Sequence, residues 1–165
     1  MNRLLMQAQA QRDPLSIVIG VLRAEGWSPR PDPENGGLSV DFGDKTLPCS
    51  GAAFLVPDES RFVFYAQFDR DAPVETLSQV AEYITRANFG IDIGNFELDY
   101  DEGLVRYKSS FDYEGEPLAP NLIRNAVQAT LDSVRMYAAG LADVMAGTKT
   151  AVQAIAEAEA ELDAA

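Results

Sequence analysis

No histidine occurs in the 165 residues, and Cys49 is the one cysteine. Those two shortages exclude much of catalytic chemistry at once: there can be no Ser-His-Asp triad, no Cys-His pair, no histidine general base, and no zinc site built from His or clustered thiolates. An intramolecular disulfide is impossible, so nothing points to an oxidising compartment. Basic residues are scarce as well, 13 Lys and Arg against 26 Asp and Glu, for a net charge of −13. A phosphate backbone recruits proteins through clustered Lys and Arg, and no stretch of this chain concentrates them. Nucleic acid is therefore not expected as a partner, nor is an anionic membrane surface. Long apolar runs are missing too. Nothing approaches the roughly 20 residues of a membrane span, and Leu4–Met6 is too short for a signal-peptide core. The expected location is the cytoplasm. No Gly-x-x-x-x-Gly-Lys-Ser/Thr loop is present, and Gly90 and Gly94 flank a strand rather than opening a helix, which removes the usual phosphate and dinucleotide cradles.

What is present is an apolar fraction of 47% with eight Phe, six Tyr and one Trp, the composition of a chain with a packed core. Asp13-Pro14 reads as a helix start, N-cap followed by a first-turn proline. Leu15, Val18, Ile19 and Leu22 then share one face until Gly26 closes the helix, and Trp27 folds back on the core. Residues 28–37 hold three prolines and are a loop or an edge, since proline cannot donate to a central ladder. Leu38, Val40 and Phe42 alternate as a strand. Ala52, Phe54 and Val56 alternate before the turn at Pro57–Ser60, and Phe62, Phe64, Ala66 and Phe68 alternate after it, a hairpin whose second strand is apolar on both faces and hence central. Cys49 reads as a small buried residue. Asp69-Arg70-Asp71 is expected to cap a second helix from about Val74 to Asn88, with Leu77, Val80, Ala81, Ile84 and Ala87 inward and a Glu82–Arg86 i,i+4 pair outward.

A hairpin spans Asn95–Phe111. Its charge pattern suggests a register in which Tyr100 faces Val105, Asp99 faces Arg106, Leu98 faces Tyr107 and Glu97 faces Lys108. Asp99–Gly103 superficially suggests a calcium loop, but its Gly comes one residue early and no Glu stands at the twelfth position. Asn88 reads either as a helix C-cap in the left-handed conformation or as a buried amide tying the helix to this hairpin. From Pro120 the chain is helical, with Ile123, Val127, Leu131, Val134, Ala138, Leu141 and Met145 in one stripe, a break expected near Gly147, and an Ala/Glu-rich end with few anchors that is expected to fray.

The element order α-β-β-β-α-β-β-α, together with Tyr83–Asn88, Gly94–Asp99 and Asp101–Tyr107, resembles the YbjN family. Asp132, Tyr137, Leu141, Val144 and Gly147 recur at the family's spacing. The resemblance implies an α+β fold similar to type III secretion chaperones, an antiparallel sheet of about five strands with packed helices, often homodimeric. The family's label, a bacterial sensory transduction regulator, states no chemistry and supplies no catalytic residues.

The domain expectation is an α+β unit over residues 13–147, a helical tail over 148–165 and an N-terminal extension over 1–12. The expected function is a non-enzymatic protein-binding or regulatory module, chaperone-like and homodimeric, with an unidentified protein or peptide as partner and with no cofactor or metal. Structural or interaction roles fall to Trp27, Arg86, Asn88, Glu97, Asp99, Arg106 and Tyr107. Two alternatives stand beside it: an architectural oligomer whose Leu131–Ile155 stripe pairs across a two-fold axis, and a carboxylate or metal-dependent enzyme.

Overall fold

The Asp13 carboxylate accepts the Ser16 amide at 3.3 Å and Pro14 opens helix α1 (Pro14–Ala24), as the sequence indicates. The computed structural model describes residues 13–42 and 44–163; the 1–12 extension lies outside the described residues. After α1 come β1 (Ser28–Asp32), β2 (Gly37–Asp41), β3 (Cys49–Val56), β4 (Arg61–Phe68), α2 (Leu77–Phe89), β5 (Asn95–Leu98), β6 (Val105–Asp112), α3 (Pro120–Met145) and α4 (Ala151–Asp163). The strands form one antiparallel sheet in the order β1-β2-β3-β4-β6-β5. The sheet has six strands rather than about five, because Ser28–Asp32 joins it as an edge strand despite its prolines. The doubly apolar β4 is central, between β3 and β6.

Helix α3 lies across β4 and β6, with α1 toward β1 and α2 toward β5, so the helices meet the sheet through the core and leave its other side open. Phe62, Phe64, Tyr107, Ile123, Leu131 and Leu141 are buried between them. Burying each such side chain contributes about 1.5–3 kcal/mol, which makes this layer the main source of stability. Strand β3 turns the other way from its simplest reading. Cys49, Gly51 and Ala53 face inward, while Phe54 lies on the open side with its ring 5.8 Å from that of Tyr65. Cys49 is buried, which pushes its thiol up to about 11, with Asp69 adding to the effect.

Pro73 makes a turn that accepts the Thr76 amide at 2.9 Å before α2 begins. The helix therefore starts at Leu77 with Thr76 at the N-cap position and no side-chain cap bond, and Asp69–Asp71 do not cap it. Helix α3 ends where expected, at Met145, with Gly147 at φ +69°. The last helix does not hang loose: Ala151, Ala154, Ile155 and Ala158 are buried and it packs on α2 and α3. Small side chains that look like weak anchors let its backbone approach closely.

The apolar stripe of α3 is covered within the chain. Leu131, Val134, Leu141 and Val144 are each at most 1% exposed with a single chain present, so they offer no seam for a second copy. Tyr83, also on the inner face of α2, donates to the Tyr137 carbonyl at 2.9 Å and stands against Gly140. A Cβ at 140 would overlap Tyr83 Oη, with ring Cζ and Cε2 at 3.0 and 3.2 Å. Gly→Ala in a helix interior usually gains about 1 kcal/mol. Overpacking costs about 1–3 kcal/mol, so Gly140→Ala is expected to destabilise, and in a Tyr83→Phe background the same change should become neutral. Urea midpoints of the four chains check it; additivity would refute the contact.

Candidate protein-docking surface

Four of the candidate residues, Asn88, Glu97, Arg106 and Tyr107, come together around β5 and β6. Asn95 opposes Lys108, Phe96 opposes Tyr107, Glu97 opposes Arg106 and Leu98 opposes Val105. This corrects the register expected from charge pairing, in which Asp99 faced Arg106, by two residues. The turn chemistry decides it. The Asp99 carboxylate accepts the amides of Asp101 and Glu102 at 2.9 and 3.1 Å, and Gly103 adopts φ +75°. Asp99 is thus a turn former and not an ion-pair partner of Arg106. Because side chains alternate with period two, a shift of two leaves every residue on the face expected for it.

Glu97 is left to hold both cations. Its Oε2 accepts from Arg106 Nε at 2.8 Å and its Oε1 from Lys108 Nζ at 2.5 Å. The Arg106 guanidinium also lies 4.2 Å from the centre of the Tyr65 ring on the open side of the sheet. Partial burial pushes the Glu97 carboxyl up, but the hydrogen bonds from Lys108 and Arg106 outweigh it and hold the group below its ordinary value of 4.5. A depressed folded value means that the cluster stabilises the fold above that pH and that the contribution fades as pH falls through the folded value. The groups are partly exposed, so the gain is modest. Glu97→Gln is expected to lower stability at neutral pH by about 1 kcal/mol or less and to match the parent at about pH 2 in denaturant titrations; an equal deficit at both would refute the assignment.

Asn88 does not adopt the left-handed conformation. Its Oδ1 accepts the Phe96 amide at 2.7 Å and its Nδ2 donates to the Phe96 carbonyl at 3.1 Å, so one side chain ties the end of α2 to β5. Tyr107 is buried, its ring edge-on to Phe96 at 4.9 Å, and its hydroxyl donates to the Ile93 carbonyl and accepts from Ser133 at 3.1 Å. Burial pushes that phenol up despite the Ser133 bond. Arg86 lies apart on the outer face of α2, paired to Glu82 at 2.7 Å. Trp27 is remote from all of these, half-buried and edge-on to Phe42 at 5.9 Å.

Both sheet edges are blunted against an added strand. At β5 the outward backbone groups of Phe96 are occupied by the Asn88 amide. At the other edge the prolines cannot donate, so the β1–β2 ladder runs through Ser28, Arg30 and Asp32 and leaves Pro29 and Pro31 facing outward with no N–H to offer. Large apolar side chains stand on the surface instead: Phe89 is 96% exposed, Val74 75%, Tyr100 57% and Ile93 51%. Phe89 follows the helix end expected at Asn88 and has no inward position in the sequence pattern. Its place off the inner face of α2 was the available signal. Among the described residues no group of three His, Cys, Asp or Glu is placed to hold a metal ion, and no helix is long and apolar enough to cross a membrane.

Residues 14–143 match the YbjN family model, described as "Putative bacterial sensory transduction regulator". No curated protein matches the chain in sequence. Among solved structures, the crystal structure of YbjN from E. coli, described as a putative transcription regulator, is similar at a TM-score of 0.60 and 11% identity, over 75% of this chain and 87% of that one. The HopA1–SchA chaperone–effector complex gives 0.46 and 14%, over 73% and 88%. The ExsC–ExsE complex gives 0.48 and 13%, over 74% and 89%.

Proposed function

Because the chain belongs to the YbjN family, we propose that it is a non-enzymatic regulatory module of the cytoplasm that binds a protein or peptide partner by chaperone-like recognition. The observation that carries this reading is the set of large apolar side chains left exposed at Phe89, Ile93, Val74 and Tyr100. Several groups that could do chemistry are engaged in structure: Glu97 with two cations, Tyr83 and Tyr107 with backbone carbonyls, and Cys49 in the core. With both edges blunted, recognition falls to side-chain surfaces rather than strand addition. Affinity capture from native lysate with mass spectrometry tests it. A reproducible protein partner is the expected result, and recovery of none in replicate captures would count against the proposal.

The homodimer is part of the proposal and needs a surface other than the α3 stripe, which the chain covers itself. We place it at Phe89 and Ile93, in the connection between α2 and β5. Light scattering should give twice the chain mass for the parent and the chain mass for Phe89→Asp; a monomeric parent at micromolar concentration removes the dimer.

A further inference from the structure

We infer that the apolar groove between the C-terminal half of α3 and the β4–α2 connection docks a basic amphipathic segment of a partner protein. The inference rests on the protein-binding reading above and gives it a location and a partner chemistry. The groove encloses about 530 Å³. Its floor is Phe68 and Leu141, both buried, and one side is the row Ala138, Ala142 and Ala146, four residues apart along α3 and its C-cap, with Met145 beside it. That row extends about 12 Å, the length of two helical turns of a partner.

The groove can be dried at little cost. Pro48 and Pro73, which form the opposite side, have no N–H, and their carbonyls are already bonded, Pro48 O to the Asp69 amide at 3.0 Å and Pro73 O to the Thr76 amide at 2.9 Å. At the end of α3 the Ala142 carbonyl accepts the Ala146 amide at 2.9 Å and the Met145 carbonyl accepts the Thr76 hydroxyl at 3.4 Å. An apolar side chain entering between the prolines and the alanines strands neither proline carbonyl.

Charge then selects the partner. Asp69 and Asp71 stand on the rim, and neither is in an ion pair among the described residues. Arg70 between them is the one rim cation among the described residues. The last turn of α3 has no basic residue to offset its carbonyl end, and the chain as a whole carries −13. A segment with Leu-like residues on one face and Lys or Arg on the other complements both features, whereas an acidic one is repelled.

The test uses the full chain and a fluorescein-labelled amphipathic Leu/Lys helix of about 12 residues, read by fluorescence anisotropy at about 0.15 M salt. Binding is expected, with Ala142→Trp weakening it roughly tenfold or more by filling the groove at unchanged net charge. Asp69→Asn/Asp71→Asn should weaken it several-fold. Glu114→Gln/Glu116→Gln, the same charge change in the loop beyond the opposite end of β6, should not. A Leu/Glu helix should not bind. Equal binding by the parent and Ala142→Trp, or none by the parent, overturns the groove. Because Ala142 is exposed, the substitution leaves the core untouched, and an unchanged thermal midpoint confirms it. If the groove fails while lysate capture still recovers a partner, only this inference is lost; if capture fails, the broader reading is lost with it.

Discussion

Gly103→Ala is expected to lower the stability of the chain by about 3 kcal/mol, well beyond what a surface turn normally costs. Gly103 sits at φ +75°, and a side chain there carries the left-handed penalty of about 1–2 kcal/mol. A Cβ would also run into the carbonyl oxygen of Ala72, whose amide donates to the Gly103 carbonyl at 2.7 Å. That atom belongs to backbone, so it cannot swing away, and the overpacking adds about 1–3 kcal/mol. Gly115 supplies the control. It sits at φ +80° with nothing near its notional Cβ, so Gly115→Ala carries only the conformational part, about 1–2 kcal/mol. Urea titration of both variants measures the difference. Equal losses would mean that the approach of the hairpin tip to Ala72 contributes nothing. A loss specific to Gly103, with faster exchange of the Ala72 amide, would show that this contact anchors the tip.

Asn88→Ala should cost about 2 kcal/mol, because it takes away the acceptor of the Phe96 amide and one of the two donors to the Phe96 carbonyl, to which Asn95 Nδ2 still donates at 3.2 Å, and an unmet buried polar group costs about 1–3 kcal/mol. Water reaches part of the site, which keeps the sum below two full penalties. Asn88→Asp separates the two bonds. A carboxylate can accept from the Phe96 amide but presents oxygen to the Phe96 carbonyl, so the variant should be destabilised at neutral pH. Protonation at low pH restores a donor and should recover part of the loss. A second consequence follows from the edge. With Asn88 removed, the outward amide of Phe96 is open to another chain, and scattering that grows with concentration is expected in Asn88→Ala but not in the parent. If Asn88→Ala were as stable as the parent, the amide would be an ornament of the helix end rather than its tie to the sheet.

The way these residues were read from the chain shows where one-dimensional pattern is enough. Alternation placed β4 at the centre of the sheet because Phe62 and Phe64 face one way while Val63 and Tyr65 face the other. The first helix, its cap and the break at Gly147 were legible because each rests on the chemistry of a few adjacent residues. The hairpin register was not, since Glu97 can reach either Arg106 or Lys108, and in the fold it reaches both. Pairing charges across a hairpin gives two registers of equal appeal, and the turn breaks the tie. The surface now proposed for docking was invisible for a different reason. Ala138, Ala142 and Ala146 acquire meaning only when Pro48 and Pro73 are brought opposite them.

The sequence by itself determined what chemistry is missing, which face of most elements looks inward, with β3 the exception, and the α+β order of elements, because these depend on residue identity and on periods of two and 3.6. The tertiary structure decided which strand pairs where, whether the α3 stripe is covered by this chain or by another, and which polar groups find partners. Burial looks the same in sequence whichever surface supplies it. Val134 and Val144, fully buried with one chain present, show that this chain supplies its own.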